Sequence, residues 1–405
     1  MRFRLRLVSA VLLALVAAPA AQAERTVSLP SQLTRALHDA QVSPARTGAV
    51  VLDLRSGRTL YAHNAHLPLL PASNEKLATT YAALTALGPD FRIETDVLGD
   101  GTLSGATWEG DLVLKGYGDP DLSVPQVRSL ARQVAADGIR RVTGRVVGDE
   151  SWFDKRRMGV GWKHEFFLNE SPALSALIVD RGWTGRAETP APALWATQLF
   201  RADLAHAGVA VRGGAVLGVA AADALPLAEV QSPRVAALVR FMDRNSDNFT
   251  AEMLMKEVGA VAGSGGSTAA GLRVTRGLLR AARIPLTGVR MVDGSGLSLD
   301  DRWTPAALAA LLRTMRLDPD VGPDLLSALP VAGSTGTLEH RMLSGPAHGF
   351  VRAKTGTTDN ASALSGFVGD RYVFSIVENG NPVSVTAAEA SQDRFAQVLA
   401  RSSRG

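Results

Sequence analysis

A helical repeat that starts at Ser73 is cut off at Gly88-Pro89 and does not resume until residue 232, and this interruption constrains the chain more than any other feature. Leu77, Tyr81, Leu84 and Leu87 recur at close to helical spacing, which predicts a helix with one buried stripe from Ser73 until the Gly-Pro pair ends it. Residues 90–231 change character: DLVLKGYG and RRVTGRVVGDES read as strands divided by glycine turns. Helical periodicity returns in SPRVAALVRFMDR (232–244), NFTAEMLMKEVGAVA (248–262) and TPAALAALLRTMR (304–316). The glycine run at 263–271 lacks the lysine of a phosphate loop and reads as a helix-joining segment. Three strand candidates follow, GFVRAKTG, ASALSGFVG and RYVFSIVENG, and the tail AAEASQDRFAQVLARSS reads as an amphipathic helix. This order predicts an α+β fold, with an antiparallel sheet flanked by helices at 24–89 and 232–405 and a β-rich inserted domain at 90–231.

The first residues bear on where the chain works. Arg2, Arg4 and Arg6 precede an apolar run that ends in Ala21-Gln22-Ala23, the pattern of a secretory signal peptide spanning 1–23. The run contains Pro19 and is short for a bilayer, and no later run is long and apolar enough to span one. We therefore expect secretion across the inner membrane, a periplasmic or extracytoplasmic location, and no stable membrane span after the signal is removed. The 43 Lys and Arg residues outnumber 39 Asp and Glu, but three of the arginines lie in that leader. A nearly balanced mature chain gives no charge-based case for nucleic acid. No cysteine occurs, which excludes disulfides and thiol chemistry.

Lysine is scarce: Lys76, Lys115, Lys155, Lys163, Lys256 and Lys354 are the full set. One of them stands three positions after Ser73, so both side chains fall on one face of the predicted helix. A serine hydroxyl is a poor nucleophile until a neighbouring base takes its proton. Arginine cannot be that base, whereas a lysine can once burial and a second nearby cation lower its pKa. Lys354, in AKTGTT, is the candidate second cation. With Ser246-Asp247-Asn248 between them, the chain carries S-x-x-K, S-D-N and K-T-G in order. Alone, each has a bland reading as a helix start, an N-cap and a strand entering a turn; together they point to acyl transfer.

With GDPDL (118–122), DGSGLS (293–298), LPVAGSTGTLEHR (329–341) and AKTGTTDNASALSGFV (353–368), the chain resembles the D-alanyl-D-alanine carboxypeptidase/endopeptidase family of class C low-molecular-mass penicillin-binding proteins, peptidase family S13. The 173 residues separating Ser73 from Ser246 leave room for the inserted domain that class A β-lactamases lack. The resemblance implies a β-lactamase/transpeptidase-like domain and a serine-type carboxypeptidase acting on peptidoglycan stem peptides, with β-lactam antibiotics as covalent inhibitors and no cofactor or metal. It implies Ser73 as nucleophile, Lys76 as general base, Ser246 as proton donor to the leaving amine, Asn248 as holder of the substrate amide and Lys354 as a source of positive potential. Asp247, Thr355, Gly356 and Thr357 would bind substrate, and the Ser73 and Thr357 N–H groups would form the oxyanion hole. Family members often nest a further subdomain in the insertion; only TGRAETPAP separates SPALSALIVDRGW from ALWATQLFRADLAHAGV here, so that subdomain is expected to be missing.

Two other functional classes stay open. A serine β-lactamase shares the nucleophile and base but needs a group that activates water against the penicilloyl ester, and a non-catalytic peptidoglycan-binding protein needs neither. His63 and His66 precede Pro68 and Pro71 in a loop without H-E-x-x-H, which discounts a metal site. His164, His206, His340 and His348 read as surface or structural groups, and the absence of G-x-S-x-G argues against an α/β-hydrolase. Glu339 and Arg341 are expected to form an ion pair. Trp152, Trp162, Trp183 and Trp195 are expected in the core of the insertion, a glycan groove being the alternative.

Overall fold

The computed structural model describes residues 27–404, so the leader expected at 1–23 lies outside the described residues. Among them no helix is long and apolar enough to cross a membrane. The described chain opens with α1 (Leu29–Leu37) and an antiparallel pair, β1 (Thr47–Asp53) and β2 (Thr59–His63). The Ser73 region follows as a 3-10 turn, Ala72–Glu75, that runs into α2 (Lys76–Ala82) and a wide π turn at Ala83–Leu87. One expected helix is thus three helical forms in series. Leu77, Tyr81 and Leu84 are buried as the stripe requires, and Gly88, at φ 92°, ends the run in a conformation that favours glycine.

The insertion holds β3 (Glu94–Ser104), β4 (Thr107–Gly116), α3 (Val124–Ala136), β5 (Arg141–Val142), β6 (Val146–Asp149), α4 (Pro192–His206), β7 (Ala210–Val211), β8 (Ala215–Leu217) and β9 (Leu225–Gln231). Its sheet runs β7-β5-β4-β3-β9, with β6 pairing β4 and β8. The β-rich insertion also carries two helices in its core: Val127, Leu130, Ala196 and Phe200 pack on Val97, Leu112 and Leu114 of the sheet. The signal for α3 was present, because Val127, Leu130, Ala131 and Val134 share one face behind a Ser123–Gln126 capping box.

The chain then returns through α5 (Val235–Asn245), α6 (Asn248–Ala262), α7 (Thr268–Ala281), α8 (Pro305–Leu317) and α9 (Gly322–Ala328). It closes with β10 (Val351–Thr358), β11 (Ala361–Val368), β12 (Tyr372–Asn379) and α10 (Val385–Arg404). The three expected strands are joined by β1 and β2, which the sequence reading did not place, in an antiparallel sheet ordered β10-β11-β12-β1-β2. Alternation divides this sheet between two cores. Ala363, Phe367, Val373 and Val377 face the cluster containing Leu77, Leu238 and Leu311, whereas Leu364, Val368, Phe374 and Ile376 join Leu33 of α1 with Phe395 and Leu399 of α10. Covered on both faces, the sheet holds its edge strand β10 as a fixed wall beside the turn that carries Ser73.

Candidate active site

Three segments distant in sequence meet at Lys76. Its amine lies 2.9 Å from Ser73 Oγ, 2.7 Å from Asn248 Oδ1 and 2.7 Å from the Ser295 carbonyl. Two of these three partners accept hydrogen bonds only, so a neutral amine that donates to both keeps its lone pair for Ser73. The turn beneath Ser73 is tightly packed: Ala72 has φ 47°, and a Cβ on Gly296 would stand 1.9 Å from the Ala72 carbonyl. Only glycine fits there.

The second segment is the α5–α6 junction. Ser246 is left-handed at φ 57° and ψ 36°, and Asp247 caps α6 by accepting from Thr250 N at 2.8 Å. This geometry sets Ser246 and Asn248 on either side of the cap. Lys354 donates to Ser246 Oγ at 2.8 Å and to the Thr355 carbonyl at 3.0 Å. Asn248 Nδ2 donates to the Glu170 carbonyl at 3.1 Å, which fixes the amide so that its oxygen faces Lys76.

The third is β10. Ala353 N donates outward to the Pro330 carbonyl at 3.0 Å, so the N–H groups of Thr355 and Thr357, two and four residues on, point to the same outer edge. A Cβ on Gly356 would sit 2.9 Å from the Pro71 carbonyl and 3.0 Å from Ser73 N, so the strand lies directly against the serine turn. Asn74 Nδ2 ties the two together through the Lys354 carbonyl at 3.3 Å.

Burial dominates the electrostatics. Lys76 is wholly buried, and burial pulls its pKa down to about 8 while Asp293, Asp247, Glu252 and Asp243 pull it back up. Lys354 falls to about 7, through burial first and the Lys76 charge second. Burial leads at both, and the repulsion between the two lysines falls on Lys354; the charges acting on Lys76 are the four carboxylates, so the second cation expected to depress Lys76 does not figure there. Asp243, donated to by Thr80 at 2.7 Å, is pushed up to about 6 by burial, against the pull of both lysines. Beneath Lys76, burial and then Asp293 raise Glu252 to about 7 and hold Glu75 and Asp301 well above the carboxylate range.

A family model described as the D-Ala-D-Ala carboxypeptidase 3 (S13) family matches residues 29–191 and 185–402. The chain belongs to this S13 family. It is 32% identical to a D-alanyl-D-alanine carboxypeptidase from Actinomadura sp. (strain R39), over 94% of this chain and 86% of that protein. It is 31% identical to a carboxypeptidase of Mycolicibacterium smegmatis, over 84% of this chain and 78% of the relative. The fold matches the crystal structure of penicillin binding protein 4 from Haemophilus influenzae with a TM-score of 0.81 at 21% identity, covering 93% of this chain and 99% of that one.

In this S13 chain, Ser73, Lys76, Ser246, Asn248, Lys354, Thr355, Gly356 and Thr357 come together in one crevice, with Lys76 and Lys354 wholly buried and Thr357 exposed. Asp247 stands differently: one carboxylate oxygen caps α6 and the other meets Arg181 at 2.6 Å. Both oxygens have structural partners.

Several neighbours were not found from sequence. Thr337 accepts from the Thr355 hydroxyl at 2.6 Å, and Asp293 organises the loop that presents the Ser295 carbonyl. The DGSGLS and STGTL strings contain both residues, but nothing in their spacing points to Lys76. The expected Glu339–Arg341 pair is replaced: Arg341, beyond the 3-10 turn Gly336–Leu338, reaches Asp393 at 2.7 Å and Glu389 at 3.5 Å on α10, while Glu339 is exposed. The four tryptophans do not act as one set. Trp162 is buried on Asp293, Trp152 donates to Glu257, and Trp183 is half exposed.

Proposed function

We propose that the protein is a serine-type D-Ala-D-Ala carboxypeptidase working through an acyl-enzyme on Ser73. The observation that carries this reading is the Lys76 amine, 2.9 Å from Ser73 Oγ and held there by two acceptor-only partners. Ser73 Oγ attacks the carbonyl between the last two D-alanines of a stem peptide while Lys76 takes its proton. The Ser73 and Thr357 N–H groups receive the oxyanion, a contribution of about 3 to 4 kcal/mol in comparable sites. The peptide lies along the outer edge of β10 as an added strand, and Gly356, lacking a Cβ, lets that strand lie close against the turn bearing Ser73.

Asn248 has one amide hydrogen on Glu170 and a second for the substrate amide. On binding, the Thr355 hydroxyl turns its one proton from Thr337 to the terminal carboxylate, with Thr357 and Thr337 beside it, under the positive potential of Lys354. Collapse of the tetrahedral intermediate breaks the peptide bond. Ser246 gives its proton to the departing amine and is resupplied from Lys354 at 2.8 Å. Water then releases the acyl group. β-Lactams would acylate the same serine. Residues 1–23 would act as the leader that delivers the enzyme outside the cytoplasmic membrane, to the periplasm or an equivalent space. The missing nested subdomain is supported by the break of the family match at 185–191 and by the 465 aligned positions needed to cover 94% of this chain.

The test is mass spectrometry of the mature protein with a labelled penicillin, beside D-alanine release from a muropeptide pentapeptide. A long-lived adduct on the peptide containing Ser73, lost in Ser73→Ala together with D-alanine release, is expected. Rapid turnover of the adduct would favour a β-lactamase, and undiminished function in Ser73→Ala would favour a binding protein.

A further inference from the structure

The insertion reaches the crevice at three points. Trp162 donates to Asp293 at 2.7 Å, the Glu170 carbonyl holds Asn248 at 3.1 Å, and Arg181 meets Asp247 at 2.6 Å. The third contact is the most constrained. Asp180, Arg181 and Gly182 have φ of 45°, 56° and 79°, so two consecutive non-glycine residues are left-handed. Such backbone persists only where its surroundings over-determine it, and it concentrates at functional positions. Here the guanidinium lies 4.6 Å from the Phe249 ring centre and 5.8 Å from that of Phe241, with one arm on Asp247.

Asp247 separates Ser246 from Asn248, and Ser246 is itself left-handed. Two strained segments from different domains therefore brace each other through one ion pair. We propose that Arg181 is a positioning residue for acyl transfer, through which the inserted domain fixes the loop bearing Ser246 and Asn248 and offsets the Asp247 charge beside Lys76; this rests on the Ser73 reading above. The pair also has an electrostatic reach. Lys76 faces Glu75 on its own turn, Asp243 of α5, Asp247 and Glu252 at α6, Asp293 on the following loop and Lys354 of β10. Arg181 is shared among Asp247, Asp121 and Glu188.

The experiment compares Arg181→Gln, Arg181→Lys, Asp247→Asn and the Arg181→Gln/Asp247→Asn double variant in the mature full chain. Penicillin acylation and D-alanine release are followed from neutral to alkaline pH, with thermal melts alongside. Arg181→Gln is expected to lower kcat by about 10- to 100-fold with a smaller change in KM, as a misplacement on the order of 1 Å does. Arg181→Lys recovers part of this loss, since an ammonium lacks the planar fork. The acidic limb of kcat/KM moves to higher pH in Arg181→Gln, because an uncompensated Asp247 carboxylate favours the Lys76 ammonium, and to lower pH in Asp247→Asn. The double variant is expected to be no slower than the slower single.

A kcat within about twofold of the parent and an unmoved limb in Arg181→Gln would overturn the proposal, as would losses that simply add. Should Arg181→Gln fail to fold, Arg181→Lys tests the positioning through kcat, its limb staying in place because the charge is kept, and Asp247→Asn tests the charge through its shift to lower pH; a parent-like kcat in the first with an unmoved limb in the second would overturn the proposal equally. Absence of an adduct on Ser73 in the parent would instead overturn the underlying reading.

Discussion

Lys76 and Lys354 are the same residue type in one crevice, both without solvent exposure, yet they are surrounded differently. Four carboxylates, Asp293, Asp247, Glu252 and Asp243, act on Lys76, whereas Lys354 has Asp243 and the repelling charge of Lys76. Burial pulls both amines down. The acids under Lys76 temper that, leaving an amine at about 8 that can both accept and return a proton near working pH. The difference teaches that position 76 is built to titrate, while position 354 is built to answer the charge beside it. Two amines that repel titrate as a pair; Lys354, at about 7, sheds its proton before Lys76, at about 8, whereas the proposed mechanism runs through the other singly protonated form, with Lys76 neutral and Lys354 charged.

The strongest way to break this comparison is Lys76→Arg, which keeps the positive charge but cannot give it up. Penicillin acylation is expected to fall by about 10²- to 10⁴-fold, the range of a lost general base. If stopped-flow labelling finds the arginine variant within tenfold of the parent, Lys76 is not the base. Lys354→Gln should do less to the rate, about 10- to 100-fold, but more to its pH dependence. Where the acylating form carries a charged Lys354, removing that cation relieves Lys76 of repulsion, so the acidic limb of the acylation profile moves to higher pH. An unmoved limb would mean that Lys354 is neutral in the productive form, and the roles drawn above would exchange.

How much of this could be read in the sequence follows the same division. Residue types that chemistry demands were legible: Ser73, Lys76, Ser246, Asn248, Lys354 and the Thr-Gly-Thr after it were named from three short strings, and the crevice contains them all. The insertion was legible as a break in periodicity. The floor of the site was not. Glu75 and Glu252 sit in helical segments where a carboxylate ordinarily faces water, and only the packed structure buries them. Asp293 is polar among glycines and serines, indistinguishable from a turn residue until its loop closes on it. β1 and β2 are not placed from sequence although GAVVLDL is a fair strand signal, because β1 joins the sheet through β12, more than 300 residues away, and β2 pairs only with β1. Arg181 was invisible for a simpler reason: arginine is abundant here, and its role comes from an unusual backbone.

Asp293→Asn sharpens the contrast at smaller scale. Its carboxylate accepts from the N–H groups of Gly296 at 2.7 Å and Ser298 at 2.8 Å and from the Trp162 indole at 2.7 Å. An asparagine presents a donor to one side of that set, leaving at least one buried group unpaired at about 1–3 kcal/mol. The melting temperature should drop, and acylation should slow because the Ser295 carbonyl that steadies Lys76 shifts. Wild-type acylation in the folded variant would show that the loop is structural only.

The mildest prediction concerns a residue outside the crevice. Arg341 is largely buried against α10, donating to Asp393 Oδ1 at 2.7 Å and to Gln392 at 3.1 Å, and it ties the loop before β10 to the far side of the sheet. Arg341→Met keeps much of the apolar stem and removes the charged bonds, so a cost of about 1–3 kcal/mol in denaturant unfolding is expected, with penicillin acylation unchanged. The loop it ties contains Thr337, which accepts from Thr355 beside Lys354, so the comparison between the lysines turns on whether a change at α10 reaches them. Acylation that falls in step with stability would mean that it does, and that the wall formed by β10 is held in place from behind as well as by its own ladder.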